Sequence, residues 1–155
     1  MRPFAYYLET GEVRRTAPDP PRAASLEREA KRRIEFLKGV ELNEVSAMIV
    51  LENHYEAVRE LVEAKMLLEG FKSYSHIADL AFAGERGLLK QDELAFVDKL
   101  RALRNGSHYY GREISIGEAK EANERTPPIV KTLTSSRGSS ASGRRIRSAP
   151  SRSRP

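Results

Sequence analysis

The chain has 155 residues, 39% hydrophobic and 32% charged, enough for one domain with a real core plus some tail. It has no cysteine, which excludes disulfides and thiolate metal sites and fits a reducing compartment. The net charge of +5 is uneven: residues 137–155 hold six arginines and no acid, so removing them leaves 21 basic against 22 acidic residues. The body is near neutral and the tail strongly basic, a pattern that points to a polyanion-seeking tail rather than a basic face on the fold. The amino-terminal MRPFAYYLETGEV lacks the apolar stretch of a signal peptide. The longest apolar runs, such as Ala47 to Leu51, fall far below the ~20 residues of a membrane span. A cytoplasmic protein is expected.

Residues 1–21 read as an arm. FAYYLETGEVRR predicts one short helix or a hairpin-like turn, and Pro18, Pro20 and Pro21 are expected to stop any regular element. Phe4, Tyr6, Tyr7 and Leu8 are too apolar for a free tail, so some should dock on the body. A first long helix is predicted over about 22–38, from Ala23, Leu26, Ala30, Ile34 and Leu37, with Gly39 as its stop. The next and longest covers about 43–69, with Asn43 as N-cap and Gly70 just past its end. Its apolar face (Ala47, Val50, Leu51, Tyr55, Val58, Leu61, Val62) is wide enough to touch two neighbours, which makes it the spine. A short helix over 74–83 opens at Ser73 or Ser75, and another runs over 91–104. A last one over 116–125 should end before Pro127-Pro128, with a further turn at Ile129 to Leu133. No β-like alternation is present. The expected class is all-α: an up-and-down bundle of four to five helices over 22–133, without a sheet. From 134 onward, the Ser/Arg/Gly/Pro-rich segment has too little apolar surface to offset its ordering entropy and is expected to be disordered.

The stretch Asp92 to Gly111, DELAFVDKLRALRNGSHYYG, carries the most chemistry. Phe96, Leu100 and Leu103 form its apolar stripe. Arg101, Arg104 and His108 differ by three, four and seven residues, so on a continuing helix they share one face beside that stripe. Two guanidinium forks and one titratable imidazole around a single spot suit a phosphate. Asn105-Gly106 is also a standard helix end. On that reading the arginines simply complement the helix dipole, Asn105 caps, and His108 sits in a surface turn.

This stretch resembles the R-x4-6-H motif of HEPN domains, small all-helical proteins whose Arg and His often cleave RNA without a metal. YEAVREL at 55–61, KSYSH at 72–76 and LRALRNGSHYYG at 100–111 look most like the archaeal HEPN-like branch, and the likeness spans roughly residues 5–125. Six residues separate Arg101 from His108, the long limit of the motif; three separate Arg104 from it. The resemblance implies a helical bundle whose last helix runs on. It implies a symmetric homodimer with the 91–104 helix near the interface, RNA as a partner, and a toxin or defence setting. Its catalytic set would be His108, Arg104, Arg101 and Asn105: the 2′-hydroxyl attacks the adjacent phosphate, His108 moves a proton, and an Arg stabilises the charged phosphorus oxygens. The alternative is a non-catalytic dimerisation or partner-binding module, for example with a nucleotidyltransferase. A third reading makes the tail the nucleic-acid binder and the bundle its handle.

The remaining candidates have plain explanations too. His54 lies on an apolar face and reads as a core histidine, unless it reaches His108 across a cleft. His76 follows two serines and reads as structural. The three histidines show no HxH or HExxH spacing, so no metal or cofactor is expected. Tyr109 and Tyr110 can stack on bases; one is expected to anchor on the core and the other to be exposed. Glu52 and Glu56 are expected to partner arginines. No P-loop, GxGxxG or Ser-His-Asp order is present. Nucleic-acid contact is assigned to Tyr109, Tyr110, Arg144, Arg145 and Arg147. If each of the six tail arginines meets one phosphate, the single-strand salt slope approaches roughly −4. Deleting 137–155 should then remove that salt-sensitive RNA affinity in a binding titration.

Overall fold

The computed structural model describes residues 1–135; the tail, with Arg144, Arg145 and Arg147, lies outside the described residues. Six helices and one short ribbon make up the body. Helix α1 is Phe4–Glu9, strand β1 Val13–Arg15, helix α2 Pro20–Leu37 and helix α3 Ala47–Leu68. Strand β2 is Phe71–Ser73, followed by helices α4 His76–Glu85, α5 Gln91–Tyr110 and α6 Ile116–Ser135. The protein is a helical bundle, as its periodicities require. Among the described residues no helix is long and apolar enough to cross a membrane.

Helix α3 is the spine. Leu51, Tyr55, Val58, Leu61, Val62 and Met66 are buried, and so are His54, Glu60 and Lys65 on other sides of the same helix. It packs against α2, α4, α5 and α6. The Asn43 side chain accepts from the backbone N–H groups of Val45 and Ser46, both at 3.0 Å, and so caps the turn that leads into α3.

Four features differ from the sequence expectation. First, a sheet exists: β1 and β2 pair antiparallel, with Val13 opposite Ser73, Arg14 opposite Lys72 and Arg15 opposite Phe71. Each strand has three residues, too few to show an alternating pattern, and the ribbon forms because Val13 and Phe71 bury against the core. Second, Pro20 and Pro21 open α2 instead of stopping the chain. They occupy its first positions, where no N–H is needed, and Asp19 caps by accepting from Arg22 N–H at 3.0 Å.

Third, α5 runs through Asn105-Gly106 and stops at Gly111, which takes the left-handed conformation (φ 64°). Fourth, α6 continues through Pro127 and Pro128 to Ser135. Two prolines cost helix stability, but Ala119 and Ala122 before them and Ile129, Val130 and Leu133 after them are all buried, so both halves stay packed.

The arm docks. Phe4 and Tyr7 are buried, with Leu8 half-buried and Tyr6 exposed. Phe4 packs edge-on against Phe71 and Phe82, each at 5.3 Å between centroids, and its N–H donates to Glu85 at 2.8 Å.

Gly70 joins α3 to the ribbon with φ of 77°, and a Cβ there would sit 2.7 Å from the Thr16 carbonyl oxygen. Gly70→Ala should therefore lose at least about 2 kcal/mol in chemical denaturation. Gly11→Ala has a similar φ of 80° but open space, and should lose only about 1 kcal/mol.

Candidate functional site

Because α5 continues past Gly106, Arg101, Arg104 and His108 do share one helix face, and that face meets α3. On α3, Glu52, Glu56, Arg59 and Glu63 are spaced four, three and four, so they too form one stripe. His108 Nε2 lies 3.0 Å from Glu52 Oε1. A carboxylate only accepts, so this contact places the proton on Nε2 and leaves Nδ1 as the basic atom of the neutral ring. Arg104 lies 3.7 Å from Glu52 and 3.5 Å from Glu56, too long for good hydrogen bonds, and its buried Nε has no hydrogen-bond partner among the described residues. Arg101 turns to Asp98 in its own helix, at 2.8 Å. Asn105 is half-buried in the following turn.

Glu52 and Glu56 are thus partners of cations, as expected. They sit opposite Arg104 and His108 and beside Arg59 of their own helix, whose Nε is 2.6 Å from Glu56 and whose Nη1 is 3.0 Å from Glu63. The arginines of this strip are largely neutralised by carboxylates.

Tyr109 and Tyr110 correct the expectation that one of them anchors. They are 73% and 87% exposed, because α5 has by then run beyond the body that could cover them. His54 is only 2% exposed and donates from Nε2 to Asn123 Oδ1 on α6 at 2.6 Å. Burial holds its pKa below the ordinary histidine value, and it does not reach His108. His76 Nδ1 shares a 2.9 Å hydrogen bond with the Tyr55 hydroxyl. Burial, and then the charge of Arg59, lowers its pKa.

Sequence reading missed the far end of the strip. Asp79 on α4 is 5% exposed, and its Oδ1 has no hydrogen-bond partner among the described residues. With Arg59, Glu63, Ser73, Tyr74 and His76 it lines a polar hollow of about 110 Å3. The available signal was an acid inside the apolar run HIADLAFA, together with the four-three-four charge spacing on α3. Among the described residues, no group of three or more His, Asp or Glu is placed to hold a metal ion.

No family model, curated protein or solved structure matches the chain. The likeness to HEPN domains therefore rests on the residues quoted from the sequence.

Burial pushes the Asp79 carboxyl up from 3.8 to about 6, against the Ser73 hydroxyl and the Arg59 charge, which pull it down. The folded chain then holds this proton more tightly than the unfolded chain, so stability is lost as the pH rises from 3.8 to about 6 and stays lost above that. Asp79→Asn removes that cost. It should raise unfolding free energy at neutral pH by on the order of 2–3 kcal/mol, and the gain should shrink as pH falls from about 6 towards 3.8. His54 titrates alike in both proteins and cancels from the difference.

Proposed function

We propose that the protein is a HEPN-like, RNA-associated helical protein that cleaves RNA without a metal at the Arg104–His108–Glu52 group. One observation carries the reading: His108 is held by Glu52 through Nε2, beside an arginine whose buried Nε lacks a hydrogen-bond partner. Glu52 fixes the ring so that Nδ1 can take the proton of a ribose 2′-hydroxyl. As the oxygen attacks the adjacent phosphorus, charge builds on the phosphate, and Arg104 exchanges its long contacts with Glu52 and Glu56 for those oxygens. The leaving 5′-oxygen needs an acid. One histidine per copy fills one role, so a second copy supplies the other, and a homodimer across α5 is part of the proposal. The exposed Tyr109 and Tyr110 give bases a place to stack. Arg101 contributes less than the sequence suggested, since Asp98 holds it. The lack of cysteine fits a cytoplasmic setting.

A second reading is favoured by a different observation. Val45 (87% exposed), Ile49 and Ile116 border an open groove with Met48 and Ile114, next to the α5 end. A non-catalytic module would use that apolar surface to hold a partner, such as a nucleotidyltransferase or a second copy.

The test uses RNA in EDTA, with melting temperature measured on the same samples. His108→Ala should slow cleavage by ~10²–10⁴ with little change in stability. Arg104→Lys should also slow it, because a point charge loses the guanidinium fork. A parent protein that leaves RNA intact would favour the partner-binding module, and a strictly monomeric mass would remove the two-copy mechanism.

A further inference from the structure

The hollow at Asp79 lies at the other end of the strip from His108. Glu52 and Glu63 are eleven positions apart on α3, about 16 Å at 1.5 Å per residue, a reach of a few nucleotides of extended RNA. Its floor and its mouth have opposite chemistry. The floor has the buried Asp79, whose Oδ1 still lacks a donor, with Glu63 beside it. A buried acceptor left without a partner is costly, and the space is more than three times the ~30 Å3 share of one water. The side wall is Arg59. Its described bonds use Nε and Nη1, so the Nη2 edge of the fork is what it offers a guest.

The mouth is aromatic and cationic. Tyr74 is 59% exposed and lines the hollow. Arg14 and Lys72, opposite each other in the ribbon, lie over its ring at 5.5 and 5.4 Å. A simple cation suits the floor but is repelled at the mouth, and a simple anion suits the mouth but is repelled by the floor. A guest that carries a phosphate and ends in a neutral, donor-rich edge satisfies both.

We propose that this hollow reads a guanine base of single-stranded RNA, with Asp79 accepting from its N1–H and N2–H edge, Arg59 donating to its O6 and N7 edge, and Tyr74 stacking on the ring. Guanine fits because it joins two adjacent ring-edge donors to the acceptor pair that arginine pairs with most often. Stacking on Tyr74 displaces one of the two cations from its ring, and the freed Arg14 or Lys72 meets the phosphate. The RNA source of the base rests on the function proposed above; recognition of guanine itself does not, and mononucleotides separate the two.

The experiment titrates the full chain with GMP, IMP and UMP by calorimetry. GMP should bind, and IMP, which lacks the N2 amine, and UMP should bind more weakly by about fivefold to a hundredfold. Asp79→Asn should abolish that preference while the protein remains folded by circular dichroism. Tyr74→Ala, at an exposed position, should weaken all three ligands. GMP binding is read without RNA cleavage, so a failed RNA-cleavage reading does not imitate a failed pocket. A second arm compares oligouridylates with and without one guanine. Tighter binding of the guanine-bearing strand is expected. Equal binding of the two strands would overturn the RNA source. Equal binding of the three mononucleotides, no GMP binding at millimolar concentration, or an unaltered Asp79→Asn protein would overturn the pocket.

Discussion

The fold depends on charge compensation along a helix that is buried on most of its sides. Helix α3 carries Glu52, Glu56, Arg59, Glu60, Glu63 and Lys65 among its apolar residues, and it touches four other helices. A charge taken out of water is costly unless a partner and hydrogen bonds meet it. Each neighbour therefore has to bring the opposite charge at the right height. Helix α2 brings Arg33, which grips Glu60 through Nε and Nη2 and reaches Asn53 through Nη1 at 2.8 Å. It also brings Glu27, 3.7 Å from Lys65. Helix α5 brings Arg104 and His108 to Glu52 and Glu56. These pairs fix the register in which the helices meet, because sliding one helix by a turn would leave a buried charge alone.

The same requirement shapes the candidate site. Pairs such as Arg33 with Glu60 are short and many-bonded, and they act as fasteners. The contacts of Arg104 are longer, and one of its nitrogens is buried without a hydrogen-bond partner. Asp79 is likewise left with an unpartnered oxygen at the far end of the strip. Unsatisfied polar atoms are rare in folded proteins and each calls for a reason. Among the described residues four buried side-chain atoms lack a partner; those of His54 and Thr126 lie elsewhere, and those of Arg104 and Asp79 lie on this polar strip, which has exposed tyrosines at both ends. The small ribbon β1–β2 matters for this reason: it is too short to stabilise much, yet it sets Arg14, Lys72 and Tyr74 around the mouth of the hollow.

Several local signals were legible and yet gave the wrong boundary. Asn105-Gly106 is a good helix stop in isolation, but His108 in the next turn meets Glu52 of α3 at 3.0 Å, and the helix continues until Gly111 takes the left-handed conformation that ends it. Pro127-Pro128 is a good breaker, but the apolar side chains on both sides dock on the core and hold the helix together. For α6 tertiary burial outweighed a local preference worth a few kcal/mol, and for α5 a polar contact with α3 extends the helix past its local stop. Pro20-Pro21 differs, because the local rule itself allows proline to begin a helix once Asp19 is recognised as the cap.

The sequence alone determined that the body is helical, that the 43–69 segment is its spine, that His54 belongs to the core and that Glu52 and Glu56 partner arginines. Each follows from spacing along one helix, because a 3.6-residue repeat puts side chains on faces before any partner is known. Only the tertiary structure decided that His108 meets Glu52, that Arg101 is held by Asp98, that both Tyr109 and Tyr110 face solvent, and that Asp79, Arg59 and Tyr74 share one hollow. These facts depend on how far α5 extends and on which face of α3 it crosses. The crossing is set by the sum of burial across the whole core, a quantity that no single stretch of the chain carries.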